Sequence, residues 1–152
     1  MKKIVFKLAL VSFFLGCIFC VPQSGHAVDW YTANQATVAW TPVTTTTDGT
    51  PIAVGSVIKY QTYLADAVAD PDKQNPIDTG IVDVPEKTFT LSKEGQFYAG
   101  TQSLRYFNGE LIGKSKTISW SDDPIVCQSG KTFGMKYYLI PDIVTGMYPK
   151  TE

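Results

Sequence analysis

The chain has 152 residues, with 13 basic and 14 acidic side chains and a formal net charge of −1 at pH 7. With 44% apolar residues it is long enough and hydrophobic enough for one domain with a real core. Nothing in this balance offers the excess of Lys and Arg that nucleic acid or an anionic membrane rewards, so those partners are excluded.

The first residues read MKKIVFKLALVSFFLGCIFCVPQSGHAVDW. Lys2, Lys3 and Lys7 open the chain with positive charge, and an apolar run follows from Leu8 to Val21. Gly25-His26-Ala27 then places small residues where a signal peptidase reads. This is the layout of a secretory signal peptide over residues 1–27, preferred to a retained anchor. Phe14-Leu15-Gly16-Cys17 matches a lipoprotein cleavage site poorly. Cleavage after Ala27 leaves 125 residues, with 10 basic and 14 acidic side chains and a net charge of −4. No segment of that mature chain is long and apolar enough to span a bilayer. The expected location is outside the cytoplasm: periplasmic, cell-surface or extracellular.

Cys17 and Cys20 leave with the signal, and Cys127 remains alone. A lone cysteine in an oxidising compartment is either buried as a small hydrophobe or bonded to another chain.

The mature chain shows no repeat, no heptads and no useful helical periodicity; its alternation has period two. "ATVAWTPV" predicts a strand with Val38 and Trp40 on one face and Thr37, Ala39 and Thr41 on the other. Pro42 ends it or sets it at an edge. "TTTTDGTPI" predicts a turn at Asp48-Gly49. "SVIKYQTYLAD" predicts the next strand, with Ile58, Tyr60 and Thr62 on one side. "DAVADPDKQNPIDTG" reads as a long surface loop, followed by a short strand from Ile81 to Val84. "KTFTLS" predicts a strand with Phe89 and Leu91 facing the same way.

"GQFYAGTQSLRYF" and "GELIGKSKTISWS" are the last long pair, meeting at Asn108-Gly109. Both turn residues tolerate positive φ, which makes a two-residue hairpin the expected connection. That turn sets Tyr106 opposite Leu111 and Leu104 opposite Gly113. Continued without interruption, it sets Ala99 opposite Ile118 and Phe97 opposite Trp120. The apolar pairs then change face between base and tip, which one regular ladder forbids. Either a bulge near Gly100 or Gly113 resets the phase, or the tip projects and exposes Leu104, Tyr106 and Leu111.

The stretch from Asp29 to Ser121 resembles a fibronectin type III domain. The likeness rests on Trp40-x-Pro42, Asp48-Gly49-Thr50-Pro51-Ile52, Tyr60-x-Thr62-Tyr63, Leu91, Gly95, Phe97-Tyr98, the hairpin and Ser115 through Ser119. The resemblance implies a seven-stranded antiparallel β-sandwich over residues 28–121, used as a spacer or binding module without catalysis. Two features depart from the family. Phe97 stands where a corner tyrosine is usual, and the hairpin has no Arg-Gly-Asp.

Residues 122–152 lie beyond the likeness as a C-terminal β extension. "KTFGMKYYLI" predicts a strand with Phe133, Met135, Tyr137 and Leu139 on one face. Such a strand either covers the domain's own edge or docks on a partner or second copy.

The only histidine, His26, lies in the signal. The mature chain therefore lacks Ser-His and Cys-His nucleophile pairs and the usual zinc sites. It has no covalent-haem sequence and no Gly-rich phosphate loop. Carboxylates crowd Asp66, Asp70, Asp72 and Asp78, and pair at Asp122-Asp123; solvated loop acids are preferred to catalysis or calcium. Core aromatics are expected at Trp40, Tyr60 and Phe89, while Trp30, Tyr31, Tyr138 and Tyr148 lie outside the main pattern.

The expected protein is a secreted, non-catalytic module with no cofactor or metal, acting by protein binding or self-association in an extracellular assembly. Carbohydrate is the alternative ligand, and a small carboxylate-dependent hydrolase the second class. The candidate contact residues are Leu104, Tyr106, Leu111, Cys127, Phe133, Tyr137 and Tyr138.

Overall fold

The computed structural model describes residues 27–139. The expected signal peptide, apart from Ala27, and Tyr148 lie outside the described residues. No helix among the described residues is long and apolar enough to cross a membrane.

Nine strands among the described residues form two sheets: β1 (Asp29–Thr32), β2 (Gln35–Ala39), β3 (Ser56–Asp66), β4 (Ile77–Val82), β5 (Glu86–Thr90), β6 (Gly95–Phe107), β7 (Glu110–Lys114), β8 (Ser119–Trp120) and β9 (Phe133–Tyr137). The architecture is all-β and sandwich-like. The large sheet runs β1-β9-β6-β3-β4, with β7 and β8 also pairing β6. The small sheet is β2-β5 alone.

Thirteen-residue β6 is the spine of the large sheet. On one side it pairs antiparallel with all of β3, from Ser56↔Phe107 to Asp66↔Phe97. On the other it meets three short strands in turn. β7 takes the tip, β8 takes Gly100 and Thr101, and β9 takes Gly95 to Phe97. The final strand of the sheet is thus broken twice.

The first break resolves the parity conflict at the hairpin. Asn108 and Gly109 adopt φ of 51° and 85°, as a tight turn requires. Tyr106 faces Leu111, but Arg105 faces Gly113 and Leu104 faces Lys114. One extra residue, Ile112, is therefore accommodated beside Gly113. A further excursion over residues 115–118 brings Trp120, not Ile118 or a more distant residue, opposite Gly100. The second break is the loop from Asp122 to Thr132, closed by Phe133 N donating to Ser121 O at 2.8 Å.

The core lies between the sheets. Leu64, Ala99, Phe97 and Met135 from the large sheet meet Phe89 and Leu91, with Ala36, Val38 and Tyr137 packed against them. Parity explains the set. Leu64 faces Ala99 across β3–β6, and Tyr60 and Thr62 lie on the same face of β3. Tyr60 also ties the layers: Val43 N donates to its hydroxyl at 3.0 Å. Trp40 packs edge-on against Tyr60, with ring centroids 5.3 Å apart.

The outer face of the large sheet carries a second aromatic group. Trp30 lies over Gly134 and reaches Tyr98, 5.5 Å between centroids, while Trp120 lies over Gly100. Lys73 covers Tyr98 and Trp120 at 5.2 and 6.0 Å and pairs with Asp122 at 2.8 Å. The loop before β4 is shorter than the sequence suggests. Strand pairing starts at Ile77, immediately after Pro76, and the register shifts between Thr62 and Tyr63 opposite Gly80, whose φ is 97°.

Candidate binding cleft at an unpaired sheet edge

β2 bonds only to β5, and its register shows which backbone groups are left over. Leu91 N donates to Asn34 O, and Trp40 N donates to Pro85 O. The in-register pairs at even positions of β2 therefore exchange hydrogen bonds with β5. The N–H and C=O groups of Gln35, Thr37 and Ala39 point the other way, along an edge with no strand beside it among the described residues. The side chains of these three residues face solvent, and Ala36 and Val38 face the core.

This edge is unlike those of the other strands of four residues or more. β1 carries Asp29, β4 carries Asp78 and a register shift, β5 carries Glu86 and Lys87, and β7 carries Glu110 and Lys114. Charges and bulges of that kind block pairing with foreign strands. β2, with the sequence QATVA, has neither charge nor bulge.

The edge opens onto a cleft of about 890 Å³ between the sheets. The cleft lies where β8 and β9 part at Ser121 on one wall and where β2 has no outer neighbour among the described residues on the other. Its walls include Val38, Trp40, Tyr60, Phe89, Thr101 and Phe133. No carboxylate among the described residues lines it. Two of its lining side chains hold buried polar atoms with no hydrogen-bond partner among the described residues, Trp40 Nε1 and Thr101 Oγ1. Unmet buried groups cost about 1–3 kcal/mol each, so a peptide carbonyl able to accept from the indole would be favoured there.

The sequence-predicted contact residues do not gather at one place. Tyr106 and Leu111 face each other near the hairpin tip, Tyr106 half-buried and Leu111 51% exposed. Leu104 is buried and is no part of an exposed face. Phe133 lines the cleft and packs edge-on against Tyr31 at 6.3 Å. Tyr137 packs on the core, and Tyr138 is exposed. Cys127 is half-buried at the cleft wall, its thiol donating to Ser121 O at 3.1 Å. Burial, with Asp123 and Asp122 nearby, raises its pKa and keeps it a thiol. The sequence offers an edge as one of two readings of Pro42, and the absence of charge in QATVA is visible there, but nothing in it marks that edge as a contact site.

The loop acids are occupied locally. Asp66 accepts from the amides of Val68 and Ala69, and these bonds, led by that of Ala69, hold its carboxyl below the usual range. Asp70 accepts from Gln74 N and Asn75 N, and Asp78 from Gly80 N. Asp122 goes to Lys73, and Asp123 to the amide of Ile125. No group of three or more His, Cys, Asp or Glu among the described residues is placed to hold a metal ion.

No protein-family model, no curated protein and no solved structure matches this chain.

Proposed function

We propose that this chain is a secreted, non-catalytic binding module that takes an extended peptide segment of a protein partner along β2. The observation that carries this reading is the uncharged, unpaired edge of β2 beside a cleft without carboxylates. Main-chain pairing supplies affinity in such a site, and the pockets for alternate side chains supply selectivity. Fibronectin type III-like topology fits the same reading. Two opposed sheets, with β4-β3-β6 in one and β2-β5 in the other, support the sandwich that the resemblance implies. The parallel pairing of β1 with β9 and the broken final strand depart from it.

A protein ligand is favoured over carbohydrate by the state of the aromatic rings. Trp30, Tyr98 and Trp120 are half-buried, and Lys73 covers two of them, so they present no open stacking platform. The test uses the mature chain as bait against envelope proteins of its native host and against an array of polysaccharides. Protein capture that is lost in Thr37→Pro, which removes one outward N–H and leaves the backbone bonds to β5 in place while giving up the 2.7 Å hydroxyl bond to Thr88, supports the reading. Retention on several polysaccharides, unaffected by that substitution, overturns it.

A further inference from the structure

The proposal that follows rests on the reading of β2 as a strand-addition site and names its occupant. We infer that the occupant is the C-terminal segment of a second copy of this chain, residues 140–152, so that the protein assembles by exchanging tails.

The site asks for an extended, uncharged strand whose carbonyls can meet the outward amides of Gln35, Thr37 and Ala39 and the indole of Trp40. From Gln35 to Val43 the edge and cleft wall span nine residues, roughly 30 Å at strand rise. The chain beyond Leu139 has 13 residues, roughly 40 Å when extended. Its sequence is IPDIVTGMYPKTE. Pro141 and Pro149 bracket seven residues that each have an N–H to donate, with Ile143, Thr145 and Met147 alternating along one side. Asp142 is the only charge between the two prolines. That length and pattern fit the edge.

The point of exit decides between a chain's own tail and its neighbour's. Leu139 leaves at the Gly95 end of β6, where its N–H donates to Glu94 Oε1. Ala33 and Asn34 join β1 to β2 at that same end. Ala33 N donates to Lys136 O, and Asn34 O accepts from Leu91 N, so this link is bonded to both sheets. A tail leaving Leu139 has to round the link before it can reach the outer edge of its own β2. A second molecule's tail meets no such obstacle.

The contact is heterologous: the tail of one copy enters the cleft of the next. Such contacts give rings when the rotation closes and filaments when it does not.

The experiment follows the full mature chain by sedimentation across a wide concentration range, with hydrogen exchange read at Thr37 and Ala39. Expected are concentration-dependent oligomers, slow exchange at both amides in the oligomer, and dissociation by excess synthetic peptide of residues 140–152. Thr37→Pro and, separately, Ile143→Asp are each expected to weaken association about tenfold or more, the loss of roughly 1.4 kcal/mol. Ile143→Asp changes no residue of β1 to β9. Should Thr37→Pro fail to fold, that variant, the peptide and the exchange rates still decide.

Three results overturn the inference. A chain that stays monomeric with fast exchange at Thr37 and Ala39 has an empty edge. A monomer with both amides protected keeps its own tail. Oligomers indifferent to the peptide and to both substitutions use another surface. In each case the binding-module reading is judged separately, since envelope-protein capture sensitive to Thr37→Pro stands whether or not the chain self-associates.

Discussion

Phe97 and Met135 face each other across the β6–β9 pair, and both are almost wholly removed from solvent, at 2% and 1% exposure. One belongs to the long central strand, the other to the segment beyond Ser121. Their contact makes β9 part of the same hydrophobic core as Leu64, Phe89 and Leu91.

The first prediction concerns this contact. Met135→Ala removes three side-chain heavy atoms from a site with no exposure, and costs about 2–5 kcal/mol in urea unfolding. A chain cut after Asp123 loses β9 entirely and exposes the edge of β6 at Gly95 to Phe97, together with Phe97 itself. It is expected not to fold cooperatively. A truncated chain with the full-length unfolding midpoint contradicts the role assigned to β9. Self-association therefore has to be tested with substitutions beyond Leu139, not by removing the whole segment from Asp122.

How far the sequence discloses this fold depends on the range of each interaction. β3 and the tight turn at Asn108-Gly109 are legible because their signals are local: strict alternation from Ser56 to Asp66, and two adjacent residues that accept positive φ. The parity conflict along β6 is legible too, since Tyr106–Leu111 and the base pairs could not share a face. Its resolution is legible only in part, as the bulge expected near Gly113. Three strand segments separated by loops share one side of β6, and only the tertiary pairing of Trp120 with Gly100 and Met135 with Phe97 sets their phases. β1 is not legible, because a four-residue strand whose only partner among the described residues is β9, about a hundred residues away, leaves no local pattern. The candidate site is harder still to read. A free edge is a property of which strand fails to acquire a neighbour, and β2 taken alone looks like any other half-buried strand.

The second prediction tests the close packing on the outer face. A Cβ added at Gly100 would sit 2.6 Å from Trp120 Cζ3 and 2.8 Å from Ile118 Cγ2, well inside contact distance. Gly100→Ala therefore has to push the indole off the sheet, at a cost of about 1–3 kcal/mol. Trp120→Leu removes the far end of the ring that causes the clash. In the Trp120→Leu background the added cost of Gly100→Ala is expected to fall by at least about 1 kcal/mol, a coupling that a double-mutant cycle measures. Equal costs in both backgrounds contradict the account.

The last prediction concerns acid. Asp48 sits in the turn closed by Thr46 N donating to Thr50 O and Gly49 N donating to Thr46 O. Its carboxylate accepts from the hydroxyl of Thr46 and from the hydroxyl and amide of Thr50. These bonds, the Thr46 hydroxyl foremost, lower its pKa from 3.8 to about 2. A carboxyl whose folded pKa lies below its unfolded value gives stability that is complete above the unfolded value and is lost as pH falls through the folded one. The window for Asp48 is therefore from about pH 4 down to about pH 2. Asp66, also depressed, titrates in the acid range as well, so the wild-type curve alone does not isolate the turn. Asp48→Asn does. The difference in unfolding midpoint between wild type and Asp48→Asn should be constant above about pH 5, narrow below about pH 4 and level off only below about pH 2, where the folded carboxyl is protonated too. A difference that stays the same across that range would mean that the charge on Asp48 adds nothing to the turn beyond what the asparagine amide supplies.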